Sequence, residues 1–239
     1  LFVYLYADSF SLSSFGGRCY ATAENWSELP KNENIQSSVE IALVGRSNVG
    51  KSSLLNTVLN ISASPKNKAP TGTRPGVTQK LHFYAAATRK PLTLVDVPGY
   101  SFAYEDQERI EAWNDLMLKY LRHRGPSLKR VCLLLDARHG LKVIDRQFLR
   151  LLYEPRPIVD PPPGEHVLWD PPKLQVILTK CDLVDRFDLV RRIQRVREEM
   201  SDELPSRAGR LQAIMVSARE GKGIMELQRE LASLHNQTR

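Results

Sequence analysis

Three absences limit what this 239-residue chain can be. No apolar run approaches the ~20 residues needed to cross a bilayer, so we expect no membrane span. Its three cysteines are odd in number and form no CxxC pair, so neither a zinc site nor a disulfide framework is indicated. Basic residues are scarce in residues 1–30, where Arg18 stands alone, unlike an Arg-rich transit peptide still in place. These absences favour a globular protein of a reducing compartment.

Aromatic side chains are abundant where basic ones are scarce. The opening segment LFVYLY has an aromatic residue at every even position, which is the period of a strand with one apolar face. We therefore separate residues 1–37, an aromatic N-terminal arm, from a domain that spans residues 38–239. The arm either packs on its own domain, the interpretation we favour, or docks onto a partner.

The chain carries a net charge of +7, with a pI near 9.4. Such a charge suits an anionic partner such as RNA, because basic patches attract phosphates. Ordinary surface charge that maintains solubility explains it equally well. Composition alone therefore leaves the partner open.

From residue 40 onward, strand-like and helix-like segments alternate. Periodic apolar residues indicate helices around residues 110–121, 187–200 and 224–234. Short apolar runs predict six strands, at residues 41–44, 81–85, 92–97, 131–135, 174–179 and 213–217. This alternation predicts an α/β fold with a mainly parallel six-stranded sheet and helices on both faces. Ligands of such sheets bind at the carboxyl ends of the strands.

A proline-rich segment interrupts this alternation. Residues 154–173 hold seven of the fifteen prolines, and proline continues neither a helix nor a central strand. We expect an inserted surface loop there.

The segment GRSNVGKS, residues 45–52, fits the pattern G-x-x-x-x-G-K-S between a strand and a helix. Such a loop points successive backbone N–H groups at phosphate, while Lys51 reaches the outer phosphates and the Ser52 hydroxyl coordinates Mg²⁺. The alternative is a tight strand–helix turn with an incidental lysine. The predicted phosphate-binding residues are Arg46, Ser47, Asn48, Val49, Gly50, Lys51, Ser52 and Ser53.

Three further motifs indicate which nucleotide the chain binds. In DVPG, Asp96 is placed for Mg²⁺ and the Gly99 N–H for the γ-phosphate. In TKCD, the Asp182 carboxylate can accept two hydrogen bonds from guanine, which adenine does not offer. Ser217-Ala218-Arg219, after the last predicted strand, can close the same pocket through backbone groups. A lone D-x-x-G is usually a turn, and TKCD alone could be a helix-capping turn. The predicted base-binding residues are Thr179, Lys180, Asp182, Ser217, Ala218 and Arg219. Four motifs in this order predict a GTP site.

The sequence resembles the EngB family of GTPases. The resemblance rests on GRSNVGKSSLLN, PGVTQ at residues 75–79, DVPGY, LLDARHGLK, LTKCDL and VSAREGKG. It implies a P-loop GTPase that binds GTP, GDP and Mg²⁺, with Lys51, Thr78 and Gly99 in catalysis. Thr78 would join Ser52 and Asp96 on Mg²⁺, and Asn48 would help hold K⁺ or, alternatively, only stabilise its loop.

The resemblance also implies a biological role. It implies assembly of the large ribosomal subunit, with a precursor of rRNA and proteins as partner and a monomer when free. Two alternatives stay open: a nucleotide-gated ribosome- or RNA-binding module with little turnover, and a GTPase acting in cell division or RNA modification.

Several features depart from the family pattern. Ser101 replaces the second glycine of GYG, and Tyr100 stands where Ras-type enzymes place a glutamine, so we expect slow intrinsic turnover. The proline-rich insertion, the aromatic arm and the initial leucine suggest an organellar protein of the mitochondrial matrix. A plastid or bacterial cytoplasm is the alternative.

One predicted helix offers a surface for RNA. Arg191, Arg192 and Arg195 lie opposite or beside an apolar stripe that we expect to face the core. The stripe comprises Phe187, Val190, Ile193 and Val196. The arginines either contact rRNA phosphates or form an ordinary solvated helix face.

Overall fold

The computed structural model describes residues 16–31, 39–61, 69, 80–88, 91–100, 107–153, 172–204 and 213–234, with residues 107–114 as backbone only. Seven strands are present in these residues. They are β1 Gly17–Ala23, β2 Val39–Gly45, β3 Leu81–Ala86, β4 Leu92–Asp96, β5 Leu128–Asp136, β6 Leu174–Thr179 and β7 Ala213–Met215. The five α-helices are α1 Lys51–Val58, α2 Gln107–His123, α3 Val143–Tyr153, α4 Arg186–Glu203 and α5 Ile224–Ser233.

The strands form one sheet in the order β1-β3-β4-β2-β5-β6-β7. Strands β4, β2, β5, β6 and β7 run parallel, whereas β3 is antiparallel to both β1 and β4. Every residue of β2 is buried, as expected of a central strand covered on both faces. The carboxyl ends of β2, β4, β6 and β7 therefore meet at one edge of the sheet.

Two apolar cores cover the two faces of the sheet. One contains Tyr120 of α2, Phe148 of α3 and Val196 of α4. The other contains Leu54 of α1 and Leu227 of α5. The predicted α/β class, the mainly parallel sheet and the helices on both faces are confirmed. None of the helices in the described part of the chain is long and apolar enough to span a bilayer.

The strand count corrects our prediction of six strands. The seventh strand, β1, comes from the segment that we separated as an N-terminal arm, and it pairs with β3. Only one face of β1 is well covered, and small residues such as Ala21 and Ala23 line it. An edge strand with small inward residues gives a weak hydrophobic alternation, so the sequence pattern did not reveal it. The segment LFVYLY lies outside the described residues.

The proline-rich segment is flanked by two residues that contact each other. The Tyr153 hydroxyl, at the end of α3, donates to the Pro172 carbonyl at 2.8 Å. Residues 154–171 lie outside the described residues. The two residues that flank this segment are thus in contact, and joining the ends of a long segment costs little entropy, so an insertion stays our prediction.

Candidate functional site

The loop between β2 and α1 has the backbone that its sequence predicts. Gly45, Asn48 and Gly50 all have positive φ, at 155°, 62° and 107°. A Cβ at Gly45 would lie 2.8 Å from the Leu134 carbonyl oxygen, so only glycine fits there. Asparagine is among the few other residues that adopt a left-handed conformation readily. The loop therefore turns tightly into the amino end of α1, where backbone N–H groups attract anions.

The Lys51 side chain folds back over this loop. Its Nζ donates to the carbonyl oxygens of Gly45 and Arg46, both at 3.1 Å. Burial lowers the pKa of Lys51 to about 8, although the nearby Asp96 carboxylate acts in the opposite direction. The ammonium is thus held at the loop centre, with little water to stabilise its charge.

Asp96 ends β4 opposite the start of α1. The Ser52 hydroxyl donates to Asp96 Oδ2 at 2.8 Å, and the carboxyl is fully buried. Burial raises the pKa of Asp96, against the influence of Lys51. Its Oδ1 is buried without a hydrogen-bond partner among the described residues. A hydroxyl and a carboxylate oxygen beside phosphate-binding N–H groups suit a hard cation such as Mg²⁺.

Gly99 comes close to the phosphate loop. A Cβ there would lie 2.8 Å from Lys51 Nζ and 2.9 Å from the Ser47 nitrogen. Any side chain would therefore collide with the loop. The DVPG segment and the phosphate loop meet, as the motif order predicts, whereas Thr78 lies outside the described residues.

The side chain of Tyr100 is buried against α3. Its hydroxyl donates to Asp145 Oδ1 at 2.7 Å, and its ring stacks on Phe148 at 4.6 Å between centroids. Arg46 Nε lies 3.3 Å from Asp145 Oδ2, which also accepts the Lys142 N–H at 2.8 Å. Burial raises the pKa of Asp145, and it raises that of Tyr100 well above its ordinary value. Asp145 thus joins the phosphate loop, the DVPGY segment and α3.

The role of Asp145 was not predicted from the sequence. It lies three residues beyond the quoted LLDARHGLK segment and accepts a backbone N–H at the start of α3. An acidic residue in the first turn of a helix is a known capping signal. That signal indicates a helix start but does not reveal the contacts with Arg46 and Tyr100.

The base-binding side of the site is connected to the same loop. The Thr179 hydroxyl donates to the Val49 carbonyl at 2.7 Å, and Lys180 Nζ donates to the Asn48 carbonyl at 2.7 Å. Lys180 Nζ also lies 3.0 Å from Asp136 Oδ2. The TKCD segment therefore packs directly against the phosphate loop.

Asp136 supports this lysine from the end of β5. Burial alone would raise the pKa of Asp136, but hydrogen bonds from Arg138 and Lys180 hold it well below its usual range. Arg138 binds it through two side-chain nitrogens, at 2.7 and 3.0 Å. We quoted Asp136 in the LLDARHGLK segment without assigning it a role; the structure shows that it fixes Lys180.

Asp182 lies half-exposed in a 3-10 turn, beside the segment that follows β7. The Cys181 N–H donates to the Val216 carbonyl at 3.2 Å, which joins the two segments. Thr57 of α1 donates to the Ala218 carbonyl at 3.3 Å, and the Ser217 hydroxyl accepts the Glu220 N–H at 3.1 Å. Arg219 is exposed in the same turn. All the predicted site residues within the described part of the chain thus lie at one edge of the sheet.

Comparison with known proteins identifies the family. A family model described as a 50S ribosome-binding GTPase matches residues 40–160. The probable GTP-binding protein EngB of Rhodospirillum rubrum is 36% identical over 198 residues, covering 82% of this chain and 76% of that protein. Its counterpart from Bradyrhizobium diazoefficiens is 35% identical over 217 residues, or 89% of each chain. The chain belongs to the EngB family of GTP-binding proteins. It is a P-loop GTPase, and GTP and GDP are its nucleotides.

Solved structures agree on the fold of this EngB-family chain. A probable GTP-binding protein engB has a TM-score of 0.55 and 22% identity, covering 83% of this chain and 99% of that one. Era, in complex with MgGDPNP and nucleotides 1506–1542 of 16S ribosomal RNA, has a TM-score of 0.61 and 17% identity, covering 83% of this chain and 57% of that one. At such identities these likenesses show the fold alone.

Proposed function

We propose that this GTPase assists assembly of the large ribosomal subunit. It would bind a precursor of rRNA and proteins in its GTP form and leave after hydrolysis. The observation that carries the proposal is the match of residues 40–160 to a family described as 50S ribosome-binding GTPases. The net charge of +7 supports an RNA-containing partner.

In this proposal the phosphate loop holds the nucleotide through charge. Lys51, now bound to the carbonyls of Gly45 and Arg46, exchanges these contacts for the outer phosphate oxygens. The loop N–H groups and the Gly99 N–H surround the same phosphates. Ser52, Thr78 and Asp96 would hold Mg²⁺, which neutralises phosphate charge when bound.

Guanine would bind beside TKCD. The Asp182 carboxylate accepts the two donors of the guanine edge, and the Lys180 stem packs along the base. Lys180 is already fixed by Asn48 and Asp136, so its orientation costs little entropy on binding. Backbone groups of Ser217 and Ala218, with Arg219, complete the pocket.

Slow turnover without a partner follows from the position of Tyr100. Ras-type enzymes place a glutamine after the D-x-x-G glycine to orient the attacking water. Here the Tyr100 ring is buried against Phe148, and its hydroxyl donates to Asp145. It has no amide, and its hydroxyl is already bonded to Asp145. A ribosomal partner would supply the missing group that orients the attacking water.

Potassium stays a separate prediction. Asn48 is exposed and has positive φ, which fits its motif but not K⁺ in particular. Turnover measured in KCl and NaCl at equal ionic strength tests it. Higher turnover in KCl, lost in Asn48→Ala, supports a K⁺ site, and equal rates in both salts contradict one.

The proposed function is tested by sedimentation. Tagged protein is added to extract of the source cells with GTP, GDP or a non-hydrolysable GTP analogue, and the particles are separated on a sucrose gradient. We expect co-migration with large-subunit precursors in the analogue, and little in GDP. The matched control is Lys51→Ala, which should stay at the top of the gradient in every nucleotide. Co-migration with no ribosomal particle would overturn the proposal in favour of cell division or RNA modification.

The compartment also remains a prediction. We predicted the mitochondrial matrix, but the relatives named above are bacterial, which supports the alternative of the bacterial cytoplasm. Cell fractionation of the source organism with an antibody to the chain distinguishes the two.

A further inference from the structure

Helix α4 has two halves of opposite charge. All five of its arginines lie between residues 186 and 197, together with one acid, Asp188. Its other four acids lie at Glu198, Glu199, Asp202 and Glu203. The first half therefore carries a surplus of positive charge.

Two acids of the acidic half, Glu199 and Glu203, are paired with arginines of the neighbouring helix α3. Arg146 of α3 lies 3.4 Å from Glu199 and 3.0 Å from Glu203, and Arg150 lies 2.9 Å from Glu203. These contacts leave less negative charge for the arginines of α4 itself. The charges of the two halves therefore cancel only in part within α4, through Arg195 and Glu199.

The basic half also exposes large apolar side chains. Phe187 is 79% exposed and Val190 is 66% exposed. Our prediction that both face the core was wrong. The buried stripe instead includes Val196 and Met200, with Leu189 and Ile193 partly buried against the same core. Helical periodicity allowed either stripe, because it does not show which side of the helix packs against the core.

The arginines beside Phe187 and Val190 can exchange their present ion-pair partners for other anions. Arg191 lies 3.5 Å from Asp188 with its side chain 83% exposed, and Arg195 lies 3.1 Å from Glu199 with its side chain 69% exposed. Exposed ion pairs contribute only about 0–1 kcal/mol, so phosphate oxygens can replace these carboxylates. Arg191 and Arg195 also line an open groove of about 520 Å³ beside Leu183, with charged side chains of both signs around it: Arg138, Asp185, Asp188 and Arg192.

We propose that this surface, Leu183, Phe187, Val190, Arg191 and Arg195, binds unpaired RNA. The guanidinium groups contact phosphates, and a base stacks on the Phe187 ring, as in other single-strand sites. The arginine surplus complements the negative charge of a nucleic-acid backbone, and the exposed Phe187 ring offers a face on which an unpaired base can stack, which favours RNA as the occupant. This inference rests on the proposed ribosomal function and names the part of the chain that contacts the RNA.

Arg192 has a structural role instead. Its side chain donates to the carbonyl oxygens of Arg138 at 3.1 Å and His139 at 3.3 Å. Arg138 in turn binds Asp136, which fixes Lys180 of the base pocket. Changing Arg192 would therefore disturb the GTP site, so it is left intact in the test.

The test compares two sets of variants in the full chain. The surface variant carries Phe187→Ala, Arg191→Gln and Arg195→Gln. The control carries Met225→Ala and Arg229→Gln on α5 and Lys222→Gln in the turn before it, which removes one exposed apolar and two exposed basic side chains, with α5 on the other face of the sheet. Calorimetry should give wild-type GTP affinity for both, which shows that the fold and the GTP site are intact.

Binding is measured by fluorescence anisotropy with a labelled single-stranded RNA oligonucleotide over a series of KCl concentrations. We expect the surface variant to lose about tenfold or more in affinity from the lost stacking. The slope of log affinity against log salt should fall by about 1.4, or roughly 0.7 for each lost phosphate contact. Phe187→Ala alone should lose affinity with an unchanged slope.

Three outcomes would overturn the inference. RNA affinity and salt slope could be unchanged in the surface variant, or both could fall equally in the control, which would indicate general charge. The surface variant could also keep RNA affinity yet lose ribosomal particles, which would indicate a protein partner. Failure of the ribosomal function itself is distinguishable, because the wild-type chain would then bind no large-subunit particle in the sedimentation test.

Discussion

The two ends of the nucleotide site differ in how they treat charge. At the phosphate end, Lys51 and Asp96 are buried. Burial lowers the pKa of Lys51 and raises that of Asp96, so it favours the neutral form of each. At the base end, Asp182 is half-exposed, and Lys180 is already paired with Asp136. A charged ligand therefore stabilises the phosphate end most. At the base end, the Lys180 side chain is already held in place before the ligand binds. We expect affinity to depend mainly on the first and nucleotide identity on the second.

The largest effect is expected from Lys51→Ala. This change removes a buried ammonium whose charge-assisted hydrogen bonds to phosphate contribute about 3 kcal/mol or more, or about a hundredfold in affinity. Titration calorimetry with MgGTP measures it, and Lys222→Ala, an exposed lysine outside the phosphate loop, is the control. Unchanged GTP affinity in Lys51→Ala would refute the phosphate end as described.

Gly99→Ala should come next. The new Cβ would lie 2.9 Å from the Ser47 backbone nitrogen, which cannot move without distorting the loop. Losing one aligned N–H donor at a reacting phosphate costs about a hundredfold in turnover. Gly16→Ala, where the nearest atom is 3.9 Å away, should have no effect on phosphate release. Normal turnover in Gly99→Ala would contradict the close approach.

Asp182→Asn tests the base end. It should lose GTP affinity by about 1–3 kcal/mol and gain xanthosine triphosphate, by analogy with bidentate contacts to base edges. Competition against a fluorescent guanine nucleotide measures both affinities, with Asp202→Asn, an exposed acid of α4, as the control. The same preference for GTP in mutant and wild type would remove Asp182 from the pocket.

The phosphate end also predicts a pH dependence. With its pKa lowered to about 8, Lys51 in the free protein loses its proton above that pH, whereas bound phosphates stabilise the ammonium. GTP binding then requires proton uptake. Affinity should be steady well below pH 8 and fall, by at most about tenfold per pH unit, as pH rises through it. Calorimetry across this range, with circular dichroism to verify folding, checks it. A flat profile would contradict the desolvated lysine.

Tyr100→Phe should give the smallest effect, and on stability. It removes the hydrogen bond to Asp145 but keeps the ring on Phe148, so we expect a loss of about 1 kcal/mol in the free energy of unfolding. Urea denaturation measures it. Tyr20→Phe is the matched control, because its hydroxyl contact with Thr93 is exposed and long at 3.4 Å. Equal effects of the two changes would mean that the Asp145 contact adds nothing.

The sequence predicted those parts of the fold that depend on local pattern. Six strands lay close to their predicted positions, and GRSNVGKS and TKCD met at one sheet edge because both follow parallel strands. Buried strands and glycine-containing turns have strong local signals, since hydrophobic runs and positive φ restrict which residues fit.

What the sequence did not reveal depends on contacts between distant segments. Strand β1 is stabilised by pairing with β3, and the residues on its covered face are small. Asp145 is recognisable only once Arg46 and Tyr100 are placed around it. The exposure of Phe187 depends on which side of α4 packs against the core. Each of these features is set by tertiary packing, which periodicity along one segment does not encode.

The central claim is that this site binds GTP but does not complete the hydrolytic machinery by itself. It is tested most directly by multiple-turnover phosphate release from the purified chain, alone and with purified large or small ribosomal subunits. We predict slow release alone, at least about tenfold faster release with large subunits, and no change with small ones. Release that is equally fast without subunits would contradict the claim, and no release under any condition would favour a binding module.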